Sequence, residues 1–192
     1  MAQLIVSMNV SLDGYISAPG EDDGSWLTID EEVHRAFNQL AAGAAAFLYG
    51  RKVYELMIPY WPEAIDDTTK PDYEREYGRL WIEKPKTVFS ASLRETRWNT
   101  AVVPPGTFEE VARLKRESDR YVLCYGGSQI ASALQQRGLV DEYDLFVHPS
   151  SLAGGLPFFR ERSSLRLLDV RRFKTGVLAL RYAAQGSGSQ SI

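Results

Sequence analysis

The stretch YVLCYGGSQIASALQQRGLVDEYDLFVHP, residues 121–149, decides the fold. Tyr121 to Tyr125 is a largely apolar run of the kind that suits a buried strand. Gly126 and Gly127 follow, then Ser128, a residue type favoured at helix N-caps. Ile130, Ala133 and Leu134 recur at helical spacing and give one apolar face, and Gly138 supplies the stop. Tyr143 to Val147 reads as a second strand. Strand, helix and strand with such short joints make a parallel crossover. Its glycines fall where the strand hands over to the helix, the place where unpaired backbone N–H groups can meet an anion.

Upstream, Leu4 to Val10 reads as the first strand, ending in the turn Ser11-Leu12-Asp13-Gly14. Ser17 to Gly24 is glycine-rich and acidic and is expected to be an exposed, mobile loop. Asp30 stands before EEVHRAFNQLAA, whose first-turn acids suit a helix N-terminus; Val33, Phe37, Leu40 and Ala41 share a face and Gly43 closes it. Ala44 to Tyr49 is a short buried strand, and Gly50-Arg51 begins a second strand-to-helix joint. Lys52 to Met57 starts a helix that Pro59 and Pro62 are expected to terminate. Tyr73 to Ile82 is helical, Lys86 to Phe89 a strand, and Trp98 to Val103 another. Thr107 is expected to cap a helix through Arg116 with Phe108, Val111 and Leu114 inward.

Beyond Pro149, SSLAGGLPFF reads as a loop. Leu165 to Lys174 and Val177 to Tyr182 form a hairpin around Thr175-Gly176. GSGSQSI has the composition of a disordered tail. The expected architecture is α/β, a three-layer α-β-α arrangement with a mixed, mainly parallel sheet, helices on both faces and a C-terminal antiparallel hairpin. Residues 1–184 form one domain and 185–192 the tail. Over the 192 residues, 44% are hydrophobic and 24% charged, as in soluble globular chains. A net charge of −3 without a basic run gives no reason to expect nucleic acid. The longest apolar run, Ala41 to Tyr49, is too short to span a bilayer, and MAQLIVSMNV lacks a basic signal-peptide n-region. These features predict a cytoplasmic protein. Cys124, the lone cysteine, reads as a small core residue.

The chain contains no G-x-G-x-x-G, no G-x-x-x-x-G-K-[ST] and no G-x-S-x-G, and His34 and His148 stand without ligand spacing. What remains are two strand-to-helix joints. On one reading Gly50-Arg51 and Gly126-Gly127-Ser128-Gln129 grip the phosphates of a dinucleotide from two sides, Arg51 adding a forked cation. On the other the glycines only permit tight turns. Spacing alone leaves both open.

Several pieces, in order over residues 2 to 184, resemble the dihydrofolate reductase-like superfamily, and most closely the reductase domain of riboflavin biosynthesis. They are SLDGYIS at 11–17, LYGRKVYE at 48–55, VFSASL at 88–93, YGGSQIASAL at 125–134, GLVDEYDLFVHP at 138–149 and LAGGLPFF at 152–159. The resemblance implies an NADPH-dependent reductase acting on a small heterocyclic or sugar-like molecule. A dihydrofolate reductase, or a nucleotide-binding module without turnover, is the alternative. It places Gly50, Arg51, Val53 and Tyr54 along the pyrophosphate, and Gly126, Gly127, Ser128, Gln129 and Ile130 along its other side. It implies a cis peptide between Gly126 and Gly127, and it turns Ser90 and Ser92 toward the adenosine ribose and 2′-phosphate. Val53 stands where the family usually has threonine, and Ala91 where it often has arginine, the natural partner of a 2′-phosphate.

On the substrate side, folate reductases present a carboxylate from the first helix. The matching position here is Val33 or His34, which counts against folate reduction; Glu31 and Glu32 are nearby but belong to the first helical turn. Asp13 is the catalytic candidate, with an ordinary turn aspartate as the alternative. Asn9, Trp26, Phe37 and Trp61, together with Tyr60, are candidates to contact a flat substrate, with core packing the alternative for the rings. Exposed strand edges favour a homodimer.

Overall fold

The computed structural model describes residues 1–20 and 24–185. The acidic tip of the first loop and the GSGSQSI tail lie outside the described residues. Among the described residues ten strands and six helices follow one another, beginning with β1 (Leu4–Ser11), β2 (Tyr15–Ser17), α1 (Glu31–Gly43) and β3 (Ala46–Gly50). There follow α2 (Arg51–Met57), α3 (Trp61–Ala64), α4 (Asp72–Glu83), β4 (Lys86–Phe89), β5 (Thr100–Val103) and α5 (Glu109–Glu117). The chain then runs through β6 (Val122–Cys124), α6 (Ser128–Gln136), β7 (Glu142–His148), β8 (Leu156–Pro157), β9 (Leu165–Arg172) and β10 (Leu178–Ala184).

Eight strands form one sheet in the order β5-β4-β3-β6-β1-β7-β10-β9. The strands from β5 to β7 in that order are mutually parallel, and β10 runs antiparallel to both β7 and β9. The crossover β6-α6-β7 is present, and β1 lies between its two strands. Alternation along the central strands divides the core. Leu4, Val6, Leu48, Val122 and Cys124 pack with α5 and α6 through Val111, Ile130, Ala131 and Leu134. Ile5, Phe47, Tyr49, Leu123 and Phe146 pack on the other face with α1 and α4 through Val33, Leu40, Ala41, Tyr77 and Trp81. Strands covered on both faces need continuous apolar runs, and these have them.

Local chemistry sets the helix ends. Asp30 caps α1 by accepting from the Val33 N–H at 2.9 Å. At the other end Gly43 leaves room for the Tyr121 hydroxyl, which an added Cβ would strike and which donates to the Leu40 carbonyl at 2.6 Å. Three expected ends are corrected. Gly127, not Ser128, occupies the N-cap of α6, because Ser128 already has helical geometry. Thr107 does not cap α5, which starts at Glu109 with Phe108 in the cap position. Pro62 sits in the first turn of α3, where its missing N–H has no intrahelical partner to lose, so it opens a helix instead of ending one. The segment after Pro149 is also not all loop, since β8 pairs antiparallel with β2 in a small second sheet. No helix among the described residues is long and apolar enough to cross a membrane.

Candidate functional site

The site begins with unequal strand lengths. β6 pairs with β1 only over Leu4–Val6, whereas β7 pairs with it from Ile5 to Ser11. Beyond Val6, among the described residues, β1 therefore has no strand neighbour on its β6 side, which leaves a notch in the ladder at the carboxyl edge of the sheet, with the Met8 side chain reaching across it to Gly126. Gly126, Gly127 and the start of α6 stand across it. Ligands of open α/β sheets bind outside the carboxyl ends of the strands.

The two glycine joints meet there. Gly50 donates its N–H to the Gly126 carbonyl at 2.9 Å, and Tyr125 donates to the Leu48 carbonyl at 3.0 Å. The Gly126-Gly127 peptide is cis, as the resemblance implies. Gly126 has φ +70°, and a Cβ added to it would collide with Met8 Cε across the notch. A Cβ on Gly127 would lie 3.8 Å from both Ile16 Cδ1 and Val53 Cγ2, so these side chains flank the joint from β2 and α2. α6 then begins, its first intrahelical bond being Ala131 N–H to the Gly127 carbonyl, which leaves its earlier N–H groups unpaired within the helix. Ser128 is 1% exposed, and its buried hydroxyl has no partner among the described residues. A buried polar group without a partner at a helix N-terminus is the donor chemistry that suits an anionic ligand.

The other predicted contacts divide. Arg51 is exposed at the first position of α2, with Nη1 on Glu55 at 3.1 Å, and its fork is accessible. Gln129 is exposed beside Ser128, while Ile130 is a core residue beneath the joint, 3.6 Å from a Cβ placed on Gly50. Ser90 follows the last residue of β4, and its buried Oγ accepts from the N–H groups of Ser92 and Leu93 at 3.1 and 2.9 Å. Ser90 thereby shapes the turn that exposes Ser92. Tyr54 does not line the notch with its ring. It is fully buried, stacks on Trp81 at 5.9 Å and donates to Thr100 Oγ1 at 3.2 Å.

Asp13 has a bracing geometry. Its carboxylate accepts from the hydroxyls of Ser11 and Ser151 at 2.6 and 2.8 Å and from the N–H groups of Leu152 and Ala153. The Ser11 hydroxyl, with those further donors, holds its carboxyl well below the usual carboxylate range. Such a group stays ionised at neutral pH and is a poor proton donor. Its place is to clasp the loop before β8 against the end of β1.

On the α1 face, Phe37 packs edge-on to Phe146 at 4.6 Å, and Trp61 lies against Tyr77 at 4.4 Å. His34 sits between them, 5.9 Å from Phe37 and 5.8 Å from Trp61. Trp26 is apart from these rings, edge-on to His148 at 5.6 Å. Tyr60 is turned outward, bonded to Glu74 and Lys70 on the protein surface. His148 links β1 to the segment before α1. Its Nδ1 lies 2.9 Å from the Thr28 N–H, and its Nε2 lies 3.0 Å from Asn9 Oδ1. Burial lowers its pKa to about 4. Cys124 is wholly buried and its thiol is pushed up to about 12, so it is an inert core residue.

Two hollows lie elsewhere. One of about 500 Å³ borders the amino ends of β3, β4 and β5, between Lys86, Trp98 and Arg113. Another of about 290 Å³ lies over β7, β9 and β10 beside α1. Neither includes the glycine joints, where the unpartnered Ser128 hydroxyl and the free N–H groups of α6 lie.

The fold is α/β, with two glycine joints meeting at the carboxyl edge of a mainly parallel sheet. This chain belongs to the RibD C-terminal domain family, whose model matches residues 2–179. It is similar to the uncharacterized protein YyaP of Bacillus subtilis strain 168, with 31% identity over 188 residues and 96% of each chain covered. Its structure resembles that of a putative riboflavin biosynthesis protein from Shewanella sp. PV-4, with a TM-score of 0.71, 21% identity and 96% and 99% of the two chains covered. It also resembles a diaminohydroxyphosphoribosylaminopyrimidine deaminase/5-amino-6-(5-phosphoribosylamino)uracil reductase from Thermotoga maritima. There the TM-score is 0.64 at 15% identity, and the match covers 96% of this chain and 57% of that one.

Proposed function

We propose that this chain is an NADPH-dependent reductase that reduces a C=N or C=O bond of a small heterocyclic or sugar-like molecule, similar to the uracil reductase activity in the name of the Thermotoga protein. The observation that carries the reading is the buried, unpartnered Ser128 hydroxyl at the start of α6, close behind Gly126, whose φ of +70° disfavours any side chain. Those features fit a pyrophosphate. Backbone N–H groups and Ser128 would meet its oxygens on one side, and the Arg51 fork would meet them from α2. Ser90 and Ser92 lie along the same edge for the adenosine ribose. NADPH, when bound, supplies the hydride. The protein's part is to orient the acceptor against the notch floor and to shield it, with Ile16 and Val53 flanking the joint. Val33, fully buried in the first turn of α1, provides no carboxylate for a pterin, which weighs against dihydrofolate reduction.

Calorimetric titration with NADPH and with NADH tests this. Binding of NADPH tighter than about millimolar, roughly −4 kcal/mol, is expected, and Arg51→Ala should weaken it by about 1.5–3 kcal/mol, as for a hydrogen bond to a charged group. Failure of both nucleotides to bind would overturn the reading.

A further inference from the structure

We infer that Asn9 turns its amide N–H pair toward the substrate, fixed there by His148, so that the site selects a ligand edge bearing a hydrogen-bond acceptor such as a lactam carbonyl. The inference deepens the reductase reading and rests on it for the word substrate.

A chain of obligate roles carries it. The Thr28 backbone N–H can only donate, so the His148 nitrogen that faces it at 2.9 Å, Nδ1, must offer its lone pair. In neutral imidazole the proton then resides on Nε2, and Nε2–H donates to the Asn9 oxygen at 3.0 Å. Reversing the Asn9 amide would set two donors face to face at that distance. His148 cannot turn to accommodate such a reversal. It is fully buried, is held at Nδ1 by Thr28, and has the edge of Trp26 against its ring. The low pKa that burial gives the ring agrees with the neutral form.

Asn9 itself sits on the stretch of β1 that has lost its β6 neighbour, on the face opposite Met8, which it shares with Phe146 across β7. It is only partly buried, and among the described residues no acceptor bonds its Nδ2. With the oxygen committed to His148, what Asn9 has left to offer a ligand on the α1 face of the sheet is a donor pair. A site that presents fixed donors rejects ligands that present donors in return, because two polar groups would be left unpaired. Asn9 is the specificity-determining contact, and His148 is a positioning residue that acts through it.

Two measurements on the full chain test this. Long-range 15N–1H spectra of the wild-type protein at neutral pH should show His148 with Nε2 protonated and Nδ1 bare; the opposite tautomer would overturn the inference without any variant. The second measurement is the binding of uracil, whose N3–H is flanked by two carbonyls, and of 2,4-diaminopyrimidine, which has amino donors at those places, each with and without NADPH. The wild-type chain should prefer uracil by about tenfold. Asn9→Asp, which keeps an oxygen for His148, should reverse the order. His148→Phe should lose the preference while keeping NADPH affinity. An unchanged preference in Asn9→Asp, or binding of neither probe to the wild-type chain, defeats the inference. Discrimination between the probes without NADPH binding would uphold it and sink the reductase reading. NADPH binding without discrimination would do the reverse.

Discussion

Gly50 and Gly126 are joined by a 2.9 Å hydrogen bond from the N–H of one to the carbonyl of the other, although Gly50 ends β3 and Gly126 lies just beyond β6. The two joints are therefore one structural unit, and a change at either is felt at both.

Ser128→Ala separates stability from ligand binding. The hydroxyl is buried and unpartnered, so its removal deletes a desolvated polar group and should leave folding stability unchanged or slightly raised. NADPH affinity should fall by about 0.5–1.5 kcal/mol. Denaturant unfolding and calorimetry on the same variant check both halves. A stability loss with unaltered affinity would mean that the hydroxyl serves the fold.

Gly126→Ala faces two obstacles, a left-handed φ of +70° and the Met8 methyl. The methyl ends a flexible arm and can move cheaply, whereas the backbone cost of about 1–2 kcal/mol cannot be relieved. The variant should be destabilised by about that amount, and adding Met8→Ala should recover only a minor part. Full recovery in a double-mutant cycle would show that the collision with Met8, and not the backbone, destabilises the variant.

Stability should decline on acidification. His148 has a folded pKa of about 4, below its ordinary value of about 6.5. As pH falls between these values the unfolded chain takes up a proton that the native one refuses. Unfolding is thus favoured across that window, by on the order of 3 kcal/mol in full. His34, also lowered by burial, adds in the same sense. Below about pH 4 the clasped Asp13 carboxylate continues the trend, since its folded pKa is depressed and its stabilisation is lost as the pH falls toward it. Unfolding midpoints across this range should show a shallower slope for His148→Gln; an identical slope would mean that the ring already carries its proton in the native state.

The edge strand β9 carries exposed leucines and a valine among its charged residues. Among the described residues β9 has no partner on its outer side, and Leu167, Leu168 and Val170 are 49%, 39% and 49% exposed. We propose that a second copy covers this edge, since an eight-residue strand with unpaired outer backbone groups and exposed apolar side chains invites pairing. Leu168→Glu should convert a dimer to monomers in sedimentation velocity, and a monomeric parent chain would remove the proposal.

The sequence was readable where structure is made locally. The apolar run before Gly126, the helical spacing of Ile130 and Leu134, and the Asp30 cap all act within a few residues. The β2–β8 pairing was not readable, because so short a strand shows no alternation and the Asp13 clasp joins residues far apart in the chain. The insertion of β1 between β6 and β7 likewise depends on long-range register. α2 is a single short helix, too brief for its pattern to reveal that Tyr54 belongs to the core. His148 read as a solitary histidine because its significance lies in a diagonal contact across two strands whose register, Ser11 opposite His148, exists only in the folded sheet.

The early end of β6 has an evolutionary consequence. The notch floor is part of the sheet and is held by the β1–β7 register, while Ile16, which flanks the glycine joint, belongs to a separate two-stranded sheet. Changes at Met8, Asn9 and Ile16 would therefore alter the side chains around the notch without shifting a single strand. A scaffold of this kind is free to diversify its chemistry at one edge while folding constrains the remainder of the chain.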